Sequence, residues 1–419
     1  MSTKQNKSLQ VITIIAMMFL YAMIAFVTNL AAPVGKIWGA SFDDPAQAER
    51  MGMLGNLFNF LAYLIMGIPA GNILSKYGYK KTALAAIVLG FLGIGVQWLS
   101  GVSSSFAVYL TGALLCGFCV CMLNTVTNPM LNLLGGGGNR GNQLNMIGGT
   151  LNSLSGSLTP MLVGAIIGES LVGKTIADVN IMLYMAMGVF ALIFIILLLT
   201  PIAEPEGAGQ QITYERSAWS FRHFVLGTIA IFFYVGVEVG VPATLISYLK
   251  PTAGFAAASF VAGLYWLLML IGRTIGSFIG GKVSSRAMVI CVASVAIALM
   301  VGAMIGGDAV QVMMPTNWAF VMAPMPIAAL LIMLVGLCTS VMWGSIFNMA
   351  TEGLGKYTAK ASGIFMMMVV GGGVVPQIQS MIAAHDCLIS YIVPVIGVAY
   401  ILWYALVGSK NVNKDIKID

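Results

Sequence analysis

Long apolar runs separated by short polar turns fill the whole chain. Twelve of these runs reach roughly the 20 residues that a membrane-crossing helix needs. They are predicted at about 11–38, 53–74, 82–100, 106–132, 142–168, 180–200, 223–249, 257–280, 287–306, 322–349, 362–383 and 388–408. The longest clearly polar connector, Pro201–Arg222, falls between the sixth and seventh and carries Glu204, Glu206 and Glu215. The expected organisation is an all-α integral membrane protein with twelve transmembrane helices in two six-helix halves. Residues 1–200 form the amino-terminal half, 201–222 a cytoplasmic linker and 223–419 the carboxy-terminal half. A six-plus-six layout of this kind is the pattern of a carrier built from two related halves.

Polar residues within these runs fall on stripes. Asn124, Asn128 and Asn132 are four apart and so share one face of the fourth helix, with Pro129 removing a backbone donor beside them. An amide is costly in lipid, so this stripe should face protein or a water-filled path. Asn56, Asn59 and Tyr63 repeat the spacing in the second helix, Asn145, Gly149 and Asn152 in the fifth, and Ser340, Gly344 and Asn348 in the tenth. Amides offer donors and acceptors to a polar cargo, and an aromatic face can cover a mildly apolar one, a role open to Trp343, Tyr265 and Trp266. Each such amide is as readily an interhelical hydrogen bond. Glu238 is the plainest carboxylate inside a span, suited either to cation coupling or to a structural pair with Arg273. The Gly371–Gly373 cluster followed by Pro376 is a candidate flexible or gating segment.

Composition agrees with the pattern: 59% of residues are hydrophobic and 8% charged, and the mean hydropathy is +0.94. The net charge of +6 is spread over loops, which argues for membrane topology and against nucleic acid as a partner. With the amino terminus inside, fifteen lysines and arginines fall in inside segments and three in outside loops, so both termini are expected in the cytoplasm. The two lysines of Met1–Gln10 precede a run of spanning length rather than a signal peptide's short core, so it should be retained. The six cysteines sit mostly in apolar segments and imply no disulfide framework, and Cys116-x-x-Cys119 reads as packing rather than a metal site. Gly136–Gly141 fits a dinucleotide glycine pattern but follows no strand. His223 and His385 have no nucleophile in a recognisable motif. No catalytic constellation and no cofactor is expected.

The loop after the second span, Gly71-Asn-Ile-Leu-Ser75-Lys-Tyr-Gly78-Tyr-Lys80-Lys81, resembles the loop signature of the major facilitator superfamily, with Ser75 where that signature has aspartate. Further stretches resemble the fucose–galactose–glucose symporter family within it. They are Asn128-Pro129 with Leu133-Leu134-Gly135, Leu144-Asn145 with Asn152-Ser153, Tyr234-Val-Gly-Val-Glu238, Leu249, Tyr265-Trp266 with Ile271-Gly272-Arg273, Gly353-Leu354-Gly355 and Val375-Pro376. The resemblance implies the major facilitator fold and proton-driven sugar uptake. It also implies an acidic residue in the first helix and another before the Asn-Pro of the fourth, where this chain has Asn29 and Asn124. A glutamine usual in the fifth helix appears as Gly149. Amides do not titrate in the physiological range, so the two proton carriers implied by the family are missing.

The expected function is import of a monosaccharide or sugar derivative across the bacterial inner membrane by alternating access, coupled to a proton or sodium. The alternatives are an uncoupled facilitator, or a carrier of an acidic sugar such as sialic acid, met by Arg273 or Lys36. The substrate set is Asn29, Asn59, Asn124, Asn128, Asn152, Tyr265, Trp343, Asn348 and Gln377, the last directly after Val375-Pro376. Glu238 and Arg273 form the coupling set. Expected partners are a sugar, a co-transported cation and the lipid bilayer, with the protein a monomer.

Overall fold

A computed structural model describes residues 3–39, 45–167, 176–202, 204, 216–307, 309–317 and 319–411. Side chains at 3–8, 29–37, 39, 45–50, 52–53, 56, 156–167, 176, 179, 250, 255–256 and 259 lie outside that description. The expected residues Asn29, Lys36 and Asn56 are among them.

The helices are α1 (Thr3–Gly39), α2 (Pro45–Ser103), α3 (Phe106–Leu134), α4 (Gly138–Ile167), α5 (Asn180–Leu199), α6 (Arg222–Ile279) and α7 (Ser285–Gly306). After a hairpin of β1 (Gln311–Pro315) and β2 (Met322–Pro326) come α8 (Ile327–Thr339), α9 (Met342–Thr351), α10 (Thr358–Met367), α11 (Gly371–Ala383) and α12 (Ile392–Trp403). Ten described stretches are long and apolar enough to cross a membrane. One of them, Leu57–Ser103, has 47 residues, or about 70 Å of helix against a hydrocarbon core of about 30 Å. It turns back at Gly78, whose φ of 82° favours glycine, and so makes two crossings. Gly254, with φ 80°, reverses α6 in the same way. The more polar α4 supplies the remaining crossing. Twelve crossings result, in two sets of six, as the hydropathy pattern predicts.

Three boundaries depart from that pattern. The tenth crossing begins at Ile327 rather than 322, because residues 322–326 pair antiparallel with 311–315. The prolines of Met-Ala-Pro-Met-Pro disfavour a helix interior, and the apolar run alone conceals this. The same crossing breaks between α8 and α9, where Thr339 and Ser340 turn their hydroxyls onto the carbonyls of Gly336 (3.1 Å) and Leu337 (2.6 Å). The eleventh starts at Thr358 and passes through a short 3₁₀ turn, Met368–Val370, directly before the three glycines. Of these, Gly371 packs on the Phe232 carbonyl and Gly372 against Phe60 and Val235. Pro129, by contrast, leaves α3 helical from Phe106 to Leu134.

The signature loop is held by an acid, though not one within it. Ser75 bonds only its own turn, to the Asn72 carbonyl at 3.0 Å. Glu204, at the start of the polar linker, accepts the backbone N–H groups of Tyr79 (2.8 Å) and Lys80 (2.7 Å). Lys80 Nζ in turn donates to the carbonyls of Leu198 and Thr200, both at 2.9 Å, at the carboxy-terminal end of α5.

The two halves meet tightly at the end of the bundle that carries Lys76, Lys80, Lys282, Arg286, Lys356 and Lys360, the cytoplasmic end by loop charge. A methyl added at Gly67 would lie 2.7 Å from the Gly363 carbonyl oxygen, and one at Gly363 would lie 2.6 Å from Gly71 Cα. Backbone cannot yield as a side-chain tip can, so only glycine allows α2 and α10 this approach. Gly363→Val is expected to cost about 1–3 kcal/mol of overpacking in this closed arrangement. Cysteine-accessibility measurements on the cytoplasmic loops should then show that end opened relative to the parent.

Candidate functional site

The asparagine stripe of α3 lies along the seam between the halves. Asn124 donates to Tyr63 Oη on α2 at 3.0 Å and to the Val120 carbonyl at 3.2 Å. Asn128, one turn on, is fully buried. Its Nδ2 donates to the Asn124 carbonyl at 2.8 Å, which leaves Oδ1 free to accept two bonds from other helices. One comes from Tyr21 Oη on α1, the other from Trp343 Nε1 on α9 at 2.9 Å. The second crosses from one half to the other. Asn132 continues the stripe toward the cytoplasm: its Nδ2 donates to Asn348 Oδ1 at 2.8 Å, and Asn348 Nδ2 donates to Ser285 Oγ at 2.8 Å. Two weaker or peripheral bonds on α4 join the same seam, Asn142 Nδ2 to Ser345 Oγ at 3.4 Å and Gln143 Nε2 to the Ser277 carbonyl at 2.9 Å.

A charged cluster adjoins this seam. Arg273 on α6 donates to Glu238 Oε1 at 3.0 Å, and Tyr234 Oη, one turn before Glu238, donates to the same oxygen at 2.9 Å. The other branch of the guanidinium reaches α4, where it donates to Ser153 Oγ at 2.5 Å and to the Gly149 carbonyl at 3.3 Å. Gly149 leaves room for this, since a methyl there would stand 3.6 Å from Arg273 Cδ. Glu238 and Arg273 side chains are 15% and 11% exposed, so the pair lies largely out of solvent yet open at one edge. Trp343 bridges the two groups of residues, with its ring 6.0 Å from Tyr234 and 6.2 Å from Phe365.

Of the sequence-selected residues, the structure brings Asn124, Asn128, Asn152, Trp343, Glu238 and Arg273 into this region. Asn152 Nδ2 donates to the Tyr21 carbonyl at 2.9 Å. Asn348 belongs to the cytoplasmic end of the seam. Asn59 is buried against Gly117, with no partner for its Oδ1 among the described residues. Tyr265 is fully buried behind the site, its hydroxyl 3.0 Å from Thr339 Oγ1, between α6 and α8. Gln377 is exposed on α11, on a different face from the buried Gln379.

Tyr21 is the residue that sequence reasoning missed. It touches Asn128 and Asn145, the latter at 3.3 Å, and its backbone holds Asn152. Inside an apolar run nothing marks it apart from other aromatics. Ser153 and Tyr234 carried more signal: Ser153 is beside Asn152, and Tyr234 is four residues before Glu238 on one helix face.

The seam therefore carries amides, phenols and one indole between two helical bundles, with a single ion pair and no constellation for covalent chemistry among the described residues. A polar seam between two helical bundles is what a membrane carrier presents to its cargo. The chain belongs to the Major Facilitator Superfamily, whose family profile matches residues 14–376. It is 31% identical over 368 residues to the glucose/galactose transporter of Brucella abortus, covering 84% of each protein. It is 22% identical over 401 residues to the L-fucose-proton symporter of Escherichia coli, covering 86% of this chain and 85% of that protein. Among solved structures, an alanine variant of FucP, the E. coli fucose:proton symporter, superposes with a TM-score of 0.81 at 19% identity, over 96% of this chain and 100% of that one. The protein is accordingly a multi-pass membrane transporter of this superfamily.

Proposed function

We propose that the protein imports a neutral monosaccharide across the bacterial inner membrane by cation-coupled alternating access. The two rocking units are residues 1–200 and 223–419, joined by the linker 201–222. The carrying observation is the seam at Asn128, where donors from both halves, one of them the indole N–H of Trp343, converge on one amide oxygen. A hexose offers hydroxyls that can replace either donor, and its ring can lie on Trp343. The names of the relatives support the same substrate class. A neutral cargo fits better than an acidic sugar, because Arg273 already has its charge met by Glu238 at 3.0 Å. A second carboxylate there would have to displace the first.

In the closed-cytoplasm arrangement the site is offered to the outside. Inward opening must part Asn132 from Asn348, Asn142 from Ser345, and Arg273 from Ser153 and Gly149, since each of these bonds joins the two halves. Sugar contacts to both halves provide compensating bonds during that exchange. Glu238 is the one carboxylate within the described spans and stands in for the acids that Asn29 and Asn124 replace. Its partner Arg273 is also the residue that grips the opposite half, so the state of the pair and the position of the halves are linked.

Uptake into proteoliposomes tests this reading. Glucose or galactose should accumulate when a proton or sodium gradient is imposed and should not do so without one. Glu238→Gln is expected to abolish gradient-driven accumulation while sugar counterflow continues. Accumulation at the parent level in that variant would remove Glu238 from the coupling step. Uptake of sialic acid in preference to either hexose would overturn the neutral-cargo reading.

A further inference from the structure

The hairpin between α7 and α8 is not part of the carrier seam, and its outer face is apolar. No lysine, arginine, aspartate or glutamate occurs from Ala309 to Pro326. The inner face seats Met314 and Met325, both 2% exposed. The outer face shows Met313 at 58% and Phe320 at 65%, with Val321 and Met322 about half exposed beside them. A patch of this kind on a two-stranded ribbon is a liability in water.

Four features say what covers it. First, the hairpin lies close to the bilayer surface: α7 ends at Gly306, α8 begins at Ile327, and the Ile327 N–H donates to the Val310 carbonyl at 2.8 Å. Second, it continues the lipid-facing belt, since Ile305, at the last turn of α7, is 82% exposed. Third, the turn meets its own backbone needs. Asn317 Oδ1 accepts from the N–H groups of Ala319 (3.0 Å) and Val321 (3.2 Å), while the Asn317 carbonyl accepts from Phe320 N–H (2.9 Å). Those bonds lower the cost of setting the turn at the headgroup boundary, where its remaining polar groups keep access to water. Fourth, Pro315, Pro324 and Pro326 interrupt the outer edges of the strands, so a protein partner cannot readily extend the ribbon.

We propose that the β1–β2 hairpin is an interfacial anchor, its Met313–Phe320 face immersed in the outer leaflet of the same membrane. There it fixes the level of α7 and α8 while the halves move. Apolar and aromatic side chains at the headgroup boundary are suited to that role.

Spin labelling tests it directly, on a readout independent of what the protein carries. Met313→Cys and Phe320→Cys, each in the full chain with Cys291→Ser and Cys387→Ser, would be labelled with a nitroxide and reconstituted in phosphatidylcholine vesicles. The ratio of collisions with oxygen to those with a water-soluble nickel chelate is expected to exceed that of a label at Lys282→Cys by roughly threefold or more. Added glucose or galactose should leave it unchanged. If either variant fails to fold, Met322→Cys, which shares the Met313 face by strand register, reports on it. A nickel-dominated label would overturn the proposal by placing the hairpin in water. Dipolar broadening between copies would overturn it in favour of a second chain, and shielding that appears only with sugar would overturn it in favour of a lid.

Discussion

Arg273→Gln is expected to lower sugar uptake in proteoliposomes by at least about tenfold. Arg273 makes one bond to Glu238 in its own half and two across the seam, to Ser153 and Gly149. Removing it severs two of the bonds between the halves and leaves a largely buried carboxylate without its cation. Breaking a buried pair by deleting one partner costs about 3–5 kcal/mol, and about 1.4 kcal/mol is a factor of ten. The exposed edge of the pair and the surviving bond from Tyr234 place the effect toward the lower end. Arg273→Lys should recover part of the activity: it restores the charge but cannot reach Glu238 and Ser153 with one planar fork. The double variant Arg273→Gln/Glu238→Gln separates the two sources of damage. If the unpaired carboxylate dominates, the double variant folds better than Arg273→Gln alone. If the lost cross-half contact dominates, transport stays low in both. Uptake by Arg273→Gln within twofold of the parent would show that the cluster serves neither purpose.

Asn128→Leu is expected to weaken equilibrium sugar binding about tenfold or more, read by titration of tryptophan fluorescence and by a raised KM for uptake. Leucine keeps the branched shape of asparagine but accepts nothing. The indole N–H of Trp343 would lose its acceptor in a buried setting, and the hydroxyl of Tyr21 would be left with Asn145 at 3.3 Å. An unsatisfied buried donor costs about 1–3 kcal/mol. Trp343→Phe is the informative companion, since it removes one donor and keeps an aromatic face. Its effect should be the smaller of the two on affinity. Unchanged affinity in Asn128→Leu, with a correctly folded protein, would move the substrate site away from the seam.

The bilayer explains why so much of the architecture was legible in the residues. A spanning segment must be apolar for about 20 residues and must satisfy its backbone within itself, so span number and loop charge are local properties of the chain. The same constraint made the α3 stripe readable, because Asn124, Asn128 and Asn132 could not all face lipid. It also hid the second strand of the hairpin: residues 322–326 are as apolar as a helix, and only their register with 311–315 sets them apart.

The sequence by itself determined the twelve crossings, the side of the membrane on which both termini lie and the polar stripe of the fourth span. Only the tertiary structure decided which of those polar groups meet. Tyr21 and Asn128 are 107 residues apart, Asn128 and Trp343 215, and Asn132 and Asn348 216. Tyr265 packs away from the seam and Gln377 stands exposed, although their helices supply residues to neighbouring faces. The reason is physical. A membrane helix is apolar all round, so its own periodicity does not fix its rotation; close contacts such as Gly67 against Gly363, and the acceptor that each buried donor requires, do.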